Sequence, residues 1–156
     1  MSIERARVHL EKYGLAKKIR EFDVSSATVA LAAAALGTEE ARIAKTLSFS
    51  LGDSAILVVA AGDAKVNNQK YKATFEKKAK MLSFDEVESV IGHGVGGVCP
   101  FGVNDGVKVY LDESLKRFDM VYPAAGTAQS AVELTIPELE AASEAVSWVD
   151  VTSIPE

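Results

Sequence analysis

Residues 43 to 61 constrain the fold more than any other stretch. From Ile43 to Leu51 the side chains alternate, with Ile43, Lys45, Leu47, Phe49 and Leu51 on one face and Ala44, Thr46, Ser48 and Ser50 on the other, the period of a strand. Gly52-Asp53 then reads as a hairpin turn, and Ala55 to Ala61 is the nearly continuous apolar run of a buried neighbouring strand. Two paired strands at the centre of a sheet are predicted. Lys45 is the awkward member, because the alternation places it among four large apolar residues. A lysine there either snorkels to water with its stem packed or sits at a pocket with an anionic or carbonyl partner.

The flanking sequence adds helices and further strands. Ile3, Ala6, Leu10 and Tyr13 recur at helical spacing, with Ser2 placed to cap and Gly14 to stop the helix. Ile19 and Phe22 sit in a short segment ending at Asp23 that reads as a strand, before Ser25 and Ser26 break the pattern. Thr28 caps an alanine-rich helix from Val29 to Leu36 that Gly37 ends. A third helix starts at Asn67 or Asn68 and turns Tyr71 and Phe75 inward. A fourth starts at Ser83, with Glu86 completing a capping box and Phe84, Val87, Val90 and Ile91 expected to face the core. Strands are predicted at 107–112, 120–122, 131–134 and 147–151, with a helical turn at 114–118 and a helix from Pro137 to about Ala142. No internal repeat or linker interrupts the chain, so the expectation is one α+β domain over residues 1–156 with a mixed sheet.

With 156 residues, the chain is long enough to bury a real core. No apolar run is long enough to span a bilayer and the first residues do not read as a signal peptide, which predicts a cytoplasmic protein without a membrane partner. The single cysteine forms no internal disulfide and agrees with a reducing compartment. A net charge of −5 argues against a protein that coats nucleic acid, DNA included, but leaves room for a local basic patch. The segment from Lys65 to Lys80 supplies one: six lysines with Glu76 as its only acid, read either as a phosphate-binding face or as an ordinary solvated one.

Five of the eleven glycines fall between Gly92 and Gly102, in Gly-His-Gly-Val-Gly-Gly-Val-Cys-Pro-Phe-Gly. Pro100 prevents a helix from continuing through this run, which therefore reads as a shaped loop with exposed amides. No Gly-Lys-Ser/Thr follows, so a nucleotide-phosphate loop is unsupported. The loop can instead present backbone N–H groups around Gly96, Gly97 and Val98 to a carbonyl oxygen that gains charge during attack. His93 and Cys99 invite a thiol-nucleophile reading, but a lone cysteine beside a proline is more often a small buried hydrophobe. Two distant histidines and one cysteine make no recognisable metal-ligand set, and no cofactor is implied.

Three stretches taken together carry a resemblance: Ala44-Lys45-Thr46-Leu47, the run from Gly92 to Gly102, and Pro123-Ala124-Ala125-Gly126-Thr127 leading to Val132-Glu133-Leu134. In order and spacing they resemble the YbaK/EbsC family, the prolyl-tRNA-synthetase-associated domain, from about Phe22 to the helix after Pro137. The resemblance implies a mixed, partly open barrel-like β-sheet flanked by helices. It also implies a freestanding hydrolase that deacylates mischarged aminoacyl-tRNA at the acceptor end, with an aminoacyl-tRNA synthetase as a candidate partner. Carried over by motif, the family lysine falls on Lys45, the first glycine of the Gly-Gly pair on Gly96, a pocket-bordering glycine on Gly126, and an often-tyrosine position on Phe22. Gly97 joins Lys45 and Gly96 as an expected catalytic position, and His93, Val98 and Thr127 join Phe22 and Gly126 as expected substrate contacts, with His93 at the rim. Such enzymes are thought to use water as nucleophile and the substrate's ribose hydroxyl in place of a side-chain base.

The chain departs from the relatives that remove cysteine from tRNA(Pro). Ala124-Ala125-Gly126 stands where they resemble one another around Ser-Gly-Gly, and Ala131 replaces an aspartate. Differences of that size decide between small amino acids, so the substrate is open. A noncatalytic module that binds aminoacyl-tRNA, a nucleotide or a synthetase is the alternative from a different class.

Overall fold

The computed structural model describes residues 2–94 and 96–155, without the side chain of Ser2. The expected Ser2 cap and the Val95 position of the glycine-rich run lie outside the described residues. In chain order the regular elements are α1 (Ser2–Glu11), β1 (Ile19–Glu21), α2 (Val29–Leu36), β2 (Ile43–Ser50), β3 (Ala55–Ala61), β4 (Lys65–Val66), α3 (Asn68–Phe75), α4 (Phe84–Ile91), β5 (Lys108–Asp112), β6 (Met120–Pro123), β7 (Ser130–Val132), β8 (Leu134–Thr135), α5 (Ile136–Ser143), β9 (Ser147–Val149) and β10 (Thr152–Ser153).

A mixed six-stranded sheet runs β8-β6-β2-β3-β5-β9 and curls into a partly open barrel-like half, with β2 and β3 at its centre as the alternation and turn predict. Its β2–β3 and β6–β8 pairs are antiparallel, and its β2–β6, β3–β5 and β5–β9 pairs are parallel. Two antiparallel ribbons, β1–β7 and β4–β10, stand outside this sheet. Both sheet faces are covered, which is why all seven residues of β3 are buried and why that strand reads as a continuous apolar run. On one face Leu57, Val59, Val109 and Leu111 pack with Ala6 and Leu10 of α1, Ile91 of α4 and Leu139 of α5. On the other, Phe49, Ile56 and Val58 pack on Tyr71 of α3. No helix among the described residues is long and apolar enough to cross a membrane.

Local chemistry sets the helix ends. The Thr28 hydroxyl accepts from the Leu31 N–H at 3.2 Å, and the Glu86 carboxylate accepts from the Ser83 N–H at 3.0 Å. Asp112 is fully buried and ties the turn that follows β5 to the chain at 151–152, accepting from the Ser114 N–H at 3.0 Å, the Val151 N–H at 2.9 Å and the Thr152 hydroxyl at 2.7 Å.

Three expectations need correction. The strand expected at 131–134 is two strands, because β7 pairs with β1 while β8 pairs with β6. The strand expected at 147–151 stops at Val149, because the Val151 N–H and the Thr152 hydroxyl donate to Asp112 and β10 starts afresh at Thr152. Phe84 does not face the core: it is 76% exposed, because the buried stripe of α4 begins one turn later at Val87.

Candidate active site

The site is a gap in the sheet. β6 pairs with β2 only at Ile43 and Ala44, and the segment 80–82 rejoins the same edge further along, where the Leu82 N–H donates to the Ser48 carbonyl at 3.1 Å and the Ser50 N–H to the Lys80 carbonyl at 2.8 Å. Between them, residues 45–47 have no strand partner on this side among the described residues. An unpaired strand edge offers backbone donors and acceptors. Here it opens on a cavity of about 360 Å³. Around the edge stand Ala44, Thr46 and Ser48, the start of α2 with Ser26 and Ala27, Gly96 and Val98 of the glycine-rich loop, Ala124, Ser130 and Ala131, and the exposed side chains of Met81 and Phe84. The Thr46 hydroxyl is buried without a partner among the described residues.

Lys45 lines this cavity, and its ammonium donates to the Gly62 carbonyl at 3.3 Å and to the Ala64 carbonyl. It stands between two apolar clusters on its face of β2, Ile43 with α2 on one side and Leu47 with Phe49 on the other. Burial lowers its pKa, opposed by the nearby Asp63 carboxylate and assisted by Lys65. Asp63 is itself held below the usual carboxylate range chiefly by the Arg117 guanidinium, which grips it through bonds of 2.6 and 3.1 Å. An ammonium carries three N–H donors, so two carbonyls leave one for a ligand.

The loop that supplies Gly96 is clamped at both ends by α1. Arg5 donates to the Gly92 carbonyl at 3.2 Å and to Asn104 Oδ1 at 3.0 Å. Inside the loop the Gly97 N–H donates to the Gly94 carbonyl at 3.0 Å, closing a turn in which Gly96 has φ +90°. Among the described residues no acceptor meets the N–H of Gly96 or of Val98. Gly97 packs directly on the Gly126–Thr127 peptide, where an added Cβ would come within 2.5 Å of the Gly126 carbonyl carbon. That peptide is fixed by the Thr127 hydroxyl, which donates to Ser130 Oγ at 2.9 Å.

The expected site residues therefore divide. Lys45, Gly96 and Val98 line the cavity, while Gly97, Gly126 and Thr127 form the contact behind its wall. Phe22 is half-buried outside the lining and tied to the same turn by its N–H, which donates to the Gln129 carbonyl at 2.8 Å. His93 is a correction: it is fully buried rather than at the rim. Its Nε2 lies 2.6 Å from the Phe101 carbonyl, so that nitrogen carries the proton and donates, and burial lowers the pKa of the ring. Cys99 Sγ sits 3.6 Å from the same nitrogen, and burial pushes the thiol up to about 12, which leaves no thiolate for nucleophilic attack. Among the described residues no group of three or more His, Cys, Asp or Glu could hold a metal ion. The sequence reading missed Ser26, Met81, Phe84 and Ser130 as lining residues; no local pattern marks them, because they meet only through the folded sheet.

A partly open mixed sheet with a lysine and a glycine-rich loop at a gap along the β6 side of its central strand β2 is the architecture of a tRNA-editing domain. Residues 24–142 match the aminoacyl-tRNA editing domain, and the chain belongs to that family. The uncharacterized protein YwhH of Bacillus subtilis is 50% identical over 152 residues, 97% of each chain. EbsC of Enterococcus faecalis, proposed to be a Cys-tRNA(Pro)/Cys-tRNA(Cys) deacylase, is 29% identical over 85% of this chain and 79% of its own. A solved structure put forward as a trans-editing enzyme for prolyl tRNA synthetase superposes with a TM-score of 0.87 at 30% identity, covering 97% of both chains.

Proposed function

We propose that the protein is a freestanding trans-editing hydrolase that removes a small amino acid from mischarged aminoacyl-tRNA, with tRNA(Pro) the first acceptor to test. The observation that carries this reading is the convergence on one cavity of three kinds of polar group without a full set of partners among the described residues: the Gly96 and Val98 amides, the third donor of Lys45, and the open β2 edge with the Thr46 hydroxyl. An ester carbonyl directed at the two loop amides gains hydrogen bonds that strengthen as its oxygen becomes negative. Lys45 holds the substrate backbone or the terminal phosphate, and the β2 edge with Thr46 accepts from the α-ammonium of the amino acid. Water attacks the carbonyl carbon, and the ester bond to the ribose oxygen breaks. The burial of His93 and Cys99 supports a mechanism without a side-chain base, in which a ribose hydroxyl of the substrate assists.

The alanines at 27, 44, 124 and 131 make this part of the lining apolar, which favours an uncharged side chain. The test is a deacylation screen over alanyl-, cysteinyl-, seryl- and prolyl-tRNA with wild type and Lys45→Ala. Release from at least one substrate, lost in the variant at unchanged fold, is expected. Saturable binding of charged tRNA without any release would place the protein among noncatalytic modules.

A further inference from the structure

Phe84 has no packing role that accounts for it. At 76% exposure it is the most exposed of the large apolar side chains among the described residues, and it stands with Met81, 54% exposed, at the mouth of the cavity. A large apolar surface left bare beside a site marks a contact with something that arrives from solvent. The charges around it are asymmetric. Lys80 precedes Met81, and Lys78 and Lys72 face a hollow of about 400 Å³ bounded also by Asn68, Gln69 and Ala79. Lys70 is engaged by Asp150 and Lys77 by the Leu51 carbonyl, but Lys72, Lys78 and Lys80 have no carboxylate partner among the described residues. Asp85, Glu86 and Glu88 follow Phe84 in the opening turns of α4 and repel a polyanion, although Glu86 lies near enough to Lys80 to feel its charge. The chain from Lys78 to Phe84 is thus a strip that passes from cationic to apolar and ends at the cavity.

We infer that Phe84, backed by Met81, is a stacking platform for the 3′-terminal base of an RNA, and that the phosphates before it run along Lys80, Lys78 and Lys72. The inference rests on the reading that an RNA 3′ end delivers its acyl group to the cavity. Stacking suits the position because every base presents a π-face to an aromatic ring, and a cationic track with an aromatic end is how single strands are held without sequence readout. The carboxylates of α4 disfavour a path along that helix, and the hollow lined by Lys72 and Lys78 offers the backbone the cationic alternative.

The test is fluorescence anisotropy with an uncharged RNA hairpin ending in a single-stranded 3′ CCA, compared with the same hairpin made blunt. Wild type is expected to prefer the CCA hairpin. Phe84→Ala should weaken that binding roughly 5- to 100-fold, and Phe84→Trp should preserve it. Lys72→Ala and Lys78→Ala should weaken both hairpins and each lower the salt slope by about one. Equal affinity for both hairpins, or Phe84→Ala within twofold of wild type at an unchanged melting temperature, would overturn the inference. Binding that depends on Phe84 in a protein that hydrolyses no ester would sink the deacylase reading and leave this one standing. Deacylation and hairpin binding both indifferent to Phe84 would do the reverse.

Discussion

Gly97→Ala places one methyl group in the contact that holds the cavity wall. An ideal Cβ there lies 2.5 Å from the Gly126 carbonyl carbon and the Thr127 nitrogen and 2.6 Å from the Gly126 oxygen. Ordinary contact begins near 3.5 Å, so the two segments must part by about 1 Å. The opposing atoms are backbone, pinned by Thr127 and Ser130, and cannot swing aside as a side-chain end would. Overpacking of this kind costs about 1–3 kcal/mol. The shift is passed to Gly96 and Val98, and a misplacement of about 1 Å at a reacting group lowers turnover by on the order of 100-fold. Gly94→Ala is the control, since a Cβ there meets only Glu88 carboxylate atoms at 3.8 and 3.9 Å. Single-turnover deacylation and urea unfolding of the two variants decide the matter. Gly97→Ala with wild-type turnover and a wild-type urea midpoint would refute the reasoning.

Three further outcomes are expected. His93 is buried with a lowered pKa, so below about pH 6.5 the unfolded chain binds a proton that the folded one refuses; stability then falls with pH by at most about 1.4 kcal/mol per unit. Urea midpoints at pH 7.5 and 5.5 should show this slope in wild type and lose it in His93→Gln, whereas equal slopes would contradict it; Asp63, Glu138 and Glu144, whose pKa values are lowered, withdraw their contributions only at lower pH. Cys99 should resist iodoacetamide at pH 8 until urea exposes it, and Cys99→Ala should keep wild-type deacylation at a cost of about 1 kcal/mol in stability, a loss of turnover being the adverse result. Asp112→Ala strands two buried N–H groups and a hydroxyl and should destabilise the fold by about 3 kcal/mol or more in urea titrations; a change below about 1 kcal/mol would show that water replaces the carboxylate.

Local rules carried most of the fold. Thr28 and Gly37 bound α2 where capping chemistry places them, and the alternation of β2 against the apolar run of β3 fixes the sheet centre. The β4–β10 ribbon was illegible because two residues on each side carry no periodicity and pair across most of the chain. At the site, the misfit of Lys45 among apolar neighbours pointed to the two carbonyls it meets. The roles of His93 and Phe84 were inverted for one reason: polarity suggested a rim for the histidine and a core for the phenylalanine. Position decides instead, since the carbonyl of Phe101 makes a buried imidazole tolerable and the first helical residue of α4 overhangs the cavity.

Release of the amino acid is the most direct measurement of the central claim. Single-turnover deacylation of alanyl-, cysteinyl-, seryl- and prolyl-tRNA should show at least one ester cleaved far above its spontaneous rate by wild type. In Lys45→Ala, folded to the same melting temperature, that rate should fall by about 100-fold or more. No release from any of the four by wild type, in an assay where an active deacylase works, would contradict the account, as would full activity in Lys45→Ala.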